Sequence, residues 1–208
     1  MDFQLSEQHR MIQQSIRRFC RKELDPIAGE IDREERFPVE VYRRLGREGF
    51  LGVMVPEVYG GSGPDLLGMY IIKEELCRSA GGMGIAVAIC SLNFCHFIYK
   101  LGTEAQKRKY IPPVAGGEKI ACYGLTEPNA GSDTLGIQTR AVRDGDHYVI
   151  NGSKTFITNA PIADYFIVVT RTSGERTARG GTNFILERGT AGLSTGNLFE
   201  KLGMRCSA

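Results

Sequence analysis

The sequence predicts an α+β fold: an N-terminal α-helical bundle domain followed by an incomplete β-barrel or β-sheet domain. Three observations predict it. Apolar residues recur at helical intervals as far as Pro112-Pro113; after Gly116-Gly117 the runs become short and β-branched or aromatic; and the turn dipeptides Asp144-Gly145 and Asn151-Gly152 fall between those runs. The expected division is 1–118 for the helical domain and 119–208 for the middle β domain. Helices first and strands second argue against a doubly wound α/β fold. No GxGxxG follows a strand, and no Walker-type glycine loop is present.

Each element has its own signal. Ile12, Ile16, Phe19, Leu24 and Ile27 share a helical spacing after Ser6, a plausible N-cap, and Pro26 is expected near the end of that helix. Pro38, read as a first-turn proline, opens a second helix through Val41, Tyr42 and Leu45 to Gly49. Val53 to Pro64, with Pro56, Gly60, Gly61 and Gly63, reads as a loop. Helix returns at Leu66–Arg78 and in the apolar segment to Leu101. Thr103-Glu-Ala-Gln106 spells a capping box whose helix the Pro112-Pro113 pair is expected to end. Strands are expected at Lys119–Thr126, Ile137–Arg143, His147–Ile150, Thr155–Thr158, Tyr165–Thr172 and Thr182–Glu187.

Composition narrows the function classes. The 208 residues, 42% hydrophobic and 24% charged, are those of an ordinary globular chain with material for one core or two. A net charge of +2 gives no chain-wide reason to bind nucleic acid. The most basic stretch, Arg17 to Arg47, interleaves nine Lys/Arg with seven Asp/Glu and reads as a salt-bridged surface. From Ser79 to Tyr99 no charge occurs over 21 positions, enough to cross a bilayer. Its early glycines and the interrupting Ser91, Asn93 and His96 favour a buried central helix, so no membrane span is expected. The cysteines at 20, 77, 90, 95, 122 and 206 form no Cys-x-x-Cys, and His9, His96 and His147 complete no zinc spacing, so no metal site is expected. The Met1-Asp2 start shows no leader pattern, and a reducing, cytoplasmic setting is the expectation.

Chemistry is concentrated in Tyr123-Gly-Leu-Thr-Glu-Pro-Asn-Ala-Gly-Ser-Asp133. It leaves a strand for a small-residue loop able to aim backbone N–H groups at an anion. Gly152-Ser-Lys-Thr-Phe-Ile-Thr-Asn159 is similar in character, with Phe156 as a flat wall and Thr158 as a hydroxyl on the same strand face. Together they suggest a flat heteroaromatic ligand with a pyrophosphate tail. On spacing alone, an Asn-Ala-Gly-Ser-Asp loop is more often just a turn.

The residues themselves go further. The 123–133 stretch resembles the signature of the acyl-CoA dehydrogenase family of flavoproteins. The resemblance continues in order through Val55-Pro-Glu-Val-Tyr-Gly-Gly61, Leu101-Gly-Thr-Glu-Ala-Gln-Lys107, Ile150-Asn-Gly-Ser-Lys154, Phe156-Ile-Thr-Asn159 and Lys201-Leu-Gly-Met-Arg205. It implies an FAD site in which Tyr123, Leu125 and Thr126 lie against the isoalloxazine and Gly131 and Ser132 reach the pyrophosphate. Ser132 would also touch the acyl-CoA substrate, and Phe156, Ile157 and Thr158 would cover the other side of the flavin. Many family members have Trp where this chain has Phe156; Phe keeps the wall and loses the N–H donor. The implied reaction is α,β-dehydrogenation of an acyl-CoA thioester: a glutamate takes the α-proton and the β-hydrogen leaves as hydride to flavin N5.

In the family that glutamate comes from a third, helical domain, so the resemblance places the base beyond Ala208 and assigns no catalytic residue here. Glu127 is expected to fix its turn. The chain is accordingly expected to be an N-terminal portion, inactive alone, with exposed sheet edges and an exposed face on the Ser79–Leu101 helix. Residues around Leu92–Tyr99 are expected at the pocket floor. The resemblance further implies an electron-transferring flavoprotein as oxidant and a homo-oligomer, commonly a tetramer. Two other readings stand beside it: a family relative oxidising a non-CoA substrate with flavin, and a non-catalytic binding or assembly module.

Overall fold

A computed structural model describes residues 4–208. Met1 and Asp2, on which the leader reading rests, lie outside the described residues. The architecture is α+β, a helical N-terminal part followed by a mixed sheet that does not close.

Helix α1 (Glu7–Phe19) starts where Ser6 accepts from the His9 N–H, with Glu7 in its first turn and Arg17 and Arg18 in its last, matching the helix dipole. Pro26 does not end the run. A π-type turn (Cys20–Leu24) and a 3-10 turn (Asp25–Ile27) absorb the proline, and the chain continues as α2 (Ala28–Arg33). Pro38 caps α3 (Val39–Arg47) from the preceding position, one residue earlier than expected. The Val53–Pro64 loop holds only a 3-10 turn, Glu57–Tyr59. Gly61 is required there, because a methyl group would collide with the Val55 carbonyl.

Helix α4 (Leu66–Ser79), capped by Asp65, packs on α1. Arg17 grips the buried Glu75 through two hydrogen bonds, 3.0 and 2.6 Å. The central helix runs through α5 (Gly81–Ala88), a π-type stretch (Ile89–His96) and α6 (Phe97–Leu101). It is long and apolar enough to cross a membrane, but 61% of its most apolar window is buried inside the fold. The remaining stripe, Ile85, Ile89, Leu92 and His96, is half-buried. The Thr103/Gln106 capping box opens α7 (Glu104–Ala115) as expected. The Pro112-Pro113 pair does not end α7: both prolines lie inside it, and it stops two residues later, at Ala115.

The strands are β1 (Ala121–Gly124), β2 (Arg140–Asp144), β3 (His147–Asn151), β4 (Tyr165–Arg171) and β5 (Gly181–Glu187). β4 organises the sheet: β1 runs parallel to its first half, β2 meets its last residue at Arg140↔Arg171, and β5 pairs antiparallel along its whole length. β2 and β3 form the hairpin expected at Asp144-Gly145, with Gly145 at φ 60°. Thr155–Thr158 is not a strand, and Asn151-Gly152 therefore ends β3 without making a second hairpin. The backbone reverses at Phe156 (φ 56°) and Asn159 (φ 71°), which no ladder tolerates.

The main core does not divide between helices and sheet. Tyr42, Leu45, Met83 and Phe94 share one buried cluster with Ile120, Ala121, Ile167 and Cys206, and the Tyr42 hydroxyl donates to the Lys119 carbonyl. Around the Arg17–Arg47 surface, Arg36 pairs with Glu30, Glu34 and Glu40, and Arg44 pairs with Glu23.

Candidate functional site

β1 presents the first candidate residues. Tyr123, half-buried, packs its ring on Phe97 of the central helix at 5.7 Å, and burial raises its phenol pKa. Gly124 is buried because the stem of Lys154 crosses the strand there; an added Cβ would sit 3.4 Å from Lys154 Cγ. That crossing delivers Lys154 Nζ to the Leu125 carbonyl (2.9 Å) and to Glu127 (2.7 Å).

Glu127 is the anchor of the loop. Its carboxylate accepts from the N–H groups of Gln138 (2.6 Å) and Thr139 (2.9 Å) as well as from Lys154, and its backbone closes a turn with Ala130. Burial alone would raise its pKa, but these hydrogen bonds outweigh burial and hold it down at about 2. Burial likewise lowers Lys154, against the pull of Glu127. A carboxylate this fully engaged fixes structure and is a poor proton acceptor. Asp133, the other carboxylate of the signature, pairs with Arg176 at 2.8 Å.

Beyond that anchor the chain is open. Gly131 and Ser132 are exposed, their N–H groups take no partner among the described residues, and nothing lies within 4 Å of where a Gly131 Cβ would be. Such free, adjacent amides suit a phosphate oxygen.

The second candidate segment lies beside the first, tied by a hydrogen bond from the Thr155 N–H to the Thr126 carbonyl, 2.9 Å. Leu125, Thr126 and Thr158 are half-exposed, and neither threonine hydroxyl has a partner among the described residues. Phe156 is 72% exposed and touches Phe199 ring to ring at 5.1 Å. Ile157 turns the other way and packs against the small cluster of Cys122, Ala163 and Phe166. The expected common strand face for Phe156 and Thr158 is replaced by a turn, which the Thr155–Thr126 hydrogen bond ties to the first segment. Sequence reasoning missed the supports, Lys154 and Asn159, whose role is visible only once the strand and turn are side by side.

These residues fit FAD chemically: flat apolar surface from Tyr123, Leu125 and Phe156, free hydroxyls, and two unpartnered amides. Comparison with known proteins follows the same line. Residues 6–118 match the family model of the acyl-CoA dehydrogenase N-terminal domain, and residues 122–208 match that of the middle domain. The short-chain specific acyl-CoA dehydrogenase of Clostridium acetobutylicum is 45% identical over 208 residues, all of this chain and 55% of that protein. A structure described as the electron transferring flavoprotein of Acidaminococcus fermentans superimposes with a TM-score of 0.95 at 39% identity, covering 100% of this chain and 55% of that one. A glutaryl-CoA dehydrogenase from Mycobacterium smegmatis in complex with FADH2 gives 0.91 at 31% identity, covering 98% and 51%. The chain spans about half the length of the relatives it matches. Through both of its halves, this chain belongs to the acyl-CoA dehydrogenase family.

Proposed function

We propose that this chain binds FAD and an acyl-CoA thioester as the N-terminal and middle portion, divided at residue 118, of an FAD-dependent acyl-CoA dehydrogenase. The observation that carries the reading is the pair of neighbouring segments, 123–132 and 156–158, with a braced loop ending in two free amides. Tyr123, Leu125 and Phe156 would flank the ring with apolar surface, and Ile157 would support that wall from beneath. Thr126 and Thr158 would meet its polar edge, and Gly131 and Ser132 the pyrophosphate. Ser132 would also contact the thioester substrate. Bound there, FAD supplies the acceptor for the β-hydride of the acyl group. The chain's own part is to bind, orient and keep water from the reacting bond.

Glu127 and Asp133 are both engaged, so the signature offers no base, and we propose that the chain alone binds its ligands without turning them over. An electron-transferring flavoprotein as oxidant, a homo-oligomeric (tetrameric) parent and a cytoplasmic location belong to the same proposal. The first is supported by the flavoprotein structure that superimposes on the chain.

Fluorescence titration of the purified chain with FAD tests the reading, followed by anaerobic addition of acyl-CoA thioesters of several chain lengths. Saturable FAD binding, and a shift of the flavin absorbance without bleaching when thioester is added, is expected. Absence of FAD binding would overturn it. FAD binding with no response to any thioester would favour a relative acting on a non-CoA substrate.

A further inference from the structure

The turn carrying Phe156, Ile157 and Thr158 is held in a conformation that its own residues do not favour. Phe156 sits at φ 56°, a left-handed conformation that strains an L-residue with a bulky side chain. Its ring, largely exposed, does little to offset that cost. The restraint comes from outside the turn.

At the near end it is the Thr155 N–H on the Thr126 carbonyl, together with the Lys154 ammonium. At the far end it is Asn159, which is fully buried and, as an Asn, tolerates its own φ of 71°. Its Nδ2 donates to the Ala86 carbonyl (3.1 Å) on the central helix and to the Ala121 carbonyl (3.0 Å) in β1. Cys90, one turn along that helix, lies 3.6 Å from the same nitrogen. The backbone N–H of Asn159 donates to the Ala208 carbonyl, 2.6 Å. One amide thus ties the turn to the helix and to the strand that carries Tyr123.

The side-chain carbonyl completes the picture. Oδ1 is buried with no hydrogen-bond partner among the described residues, and flipping the amide would not serve it, because the two nearest neighbours of Nδ2 are carbonyl oxygens. An orphaned buried carbonyl bears its desolvation cost uncompensated. A core position that spends stability this way, next to a strained aromatic, marks a geometry kept for function.

We infer that Asn159 is a positioning residue: through its amide it fixes Phe156–Thr158 against Leu125–Thr126, and so sets the placement of the two segments that hold the cofactor. This rests on the flavin reading above. Asn159→Gly keeps the left-handed backbone and deletes the amide. It is expected to weaken FAD binding at least tenfold, to alter the visible circular dichroism of bound flavin, and to raise hydrogen exchange in the unliganded chain at residues 155, 159 and 160, whose N–H groups are hydrogen-bonded. Thr103→Ala, at a distant helix cap, should lower the melting temperature while moving none of these readouts. Asn159→Ser, which retains one donor, is expected to fall between wild type and Gly, and supplies the same measurements should the Gly variant not fold. Wild-type FAD affinity, flavin spectrum and exchange in the variants would overturn the inference, whatever the melting temperature does. Failure of the wild-type chain itself to bind FAD strikes the flavin reading instead; the exchange comparison then decides whether Asn159 fixes the turn.

Discussion

Glu127 and Phe156 show how single residues in one site act on stability in opposite directions. Glu127 is held at about 2, below its usual 4.5, so the interactions that hold it contribute stability that is fully present above pH 4.5 and is lost as pH falls toward 2. A pKa unit corresponds to about 1.4 kcal/mol. Glu127→Gln is therefore expected to cost on the order of 3 kcal/mol at neutral pH. It should also flatten the acid limb of the stability curve, as urea denaturation between pH 2 and 7 would show; an acid limb as steep as wild type would count against the assignment. Phe156 acts the other way. Phe156→Gly releases the left-handed strain, less the extra chain entropy of glycine, for a net gain of up to about 1 kcal/mol. The same change removes a wall of the cofactor site. FAD affinity should fall while the melting temperature holds or rises, and a variant that is both less stable and unimpaired in binding would refute the reading.

At the scale of elements, capping and glycine contacts decide what is fixed. Thr103 and Gln106 satisfy each other's backbone groups at the start of α7. Thr103→Ala should cost about 1 kcal/mol, a melting shift of about 2–4 °C for a chain of this size. α3 meets the end of α7 so closely that a methyl on Gly46 would collide with the backbone of Gly116 and Gly117. Gly46→Ala is expected to cost about 1–3 kcal/mol, read from chemical denaturation. The caps at Ser6 and Thr103, the Asp144-Gly145 hairpin and the helical periodicities were legible because each is written in adjacent residues. What was not legible depends on distant partners. Thr155, Ile157 and Thr158 have strand-like side chains, yet Asn159 bonds to Ala86 and Ala121 and turns the backbone away from any ladder. Pro112 and Pro113 read as a stop, yet Ile111, Val114 and Ala115 are buried in the main core and keep that last turn helical. The signature at 123–133 was legible as a cofactor loop; its bracing by Lys154 was not, since 27 residues separate Lys154 from Glu127.

For the whole molecule, the division read at residue 118 is a change of secondary structure and not a break in the core. Ile120, Ala121, Ile167 and Cys206 belong to the cluster built by the helices. Polar ties cross the same boundary, with Lys109 and Tyr110 of α7 on Glu187 and Lys119 on Asp164. A shared core of this kind makes independent unfolding of either half costly, so the chain should unfold as one cooperative unit. The test pairs far-ultraviolet circular dichroism, weighted toward helix, with the amide-I infrared band of the sheet. Coincident transitions are expected; a sheet signal lost well before the helical one would disprove the shared core. A ligand seated on residues 123–132 and 156–158 is then linked to the entire chain, because Asn159 and Tyr123 both contact the central helix. FAD at a hundredfold excess over its dissociation constant should add about 2.7 kcal/mol to the single transition, raising the helical and sheet midpoints together. A midpoint that rises for the sheet alone would mean that cofactor and helices are uncoupled, and that the core shared across residue 118 carries no functional link.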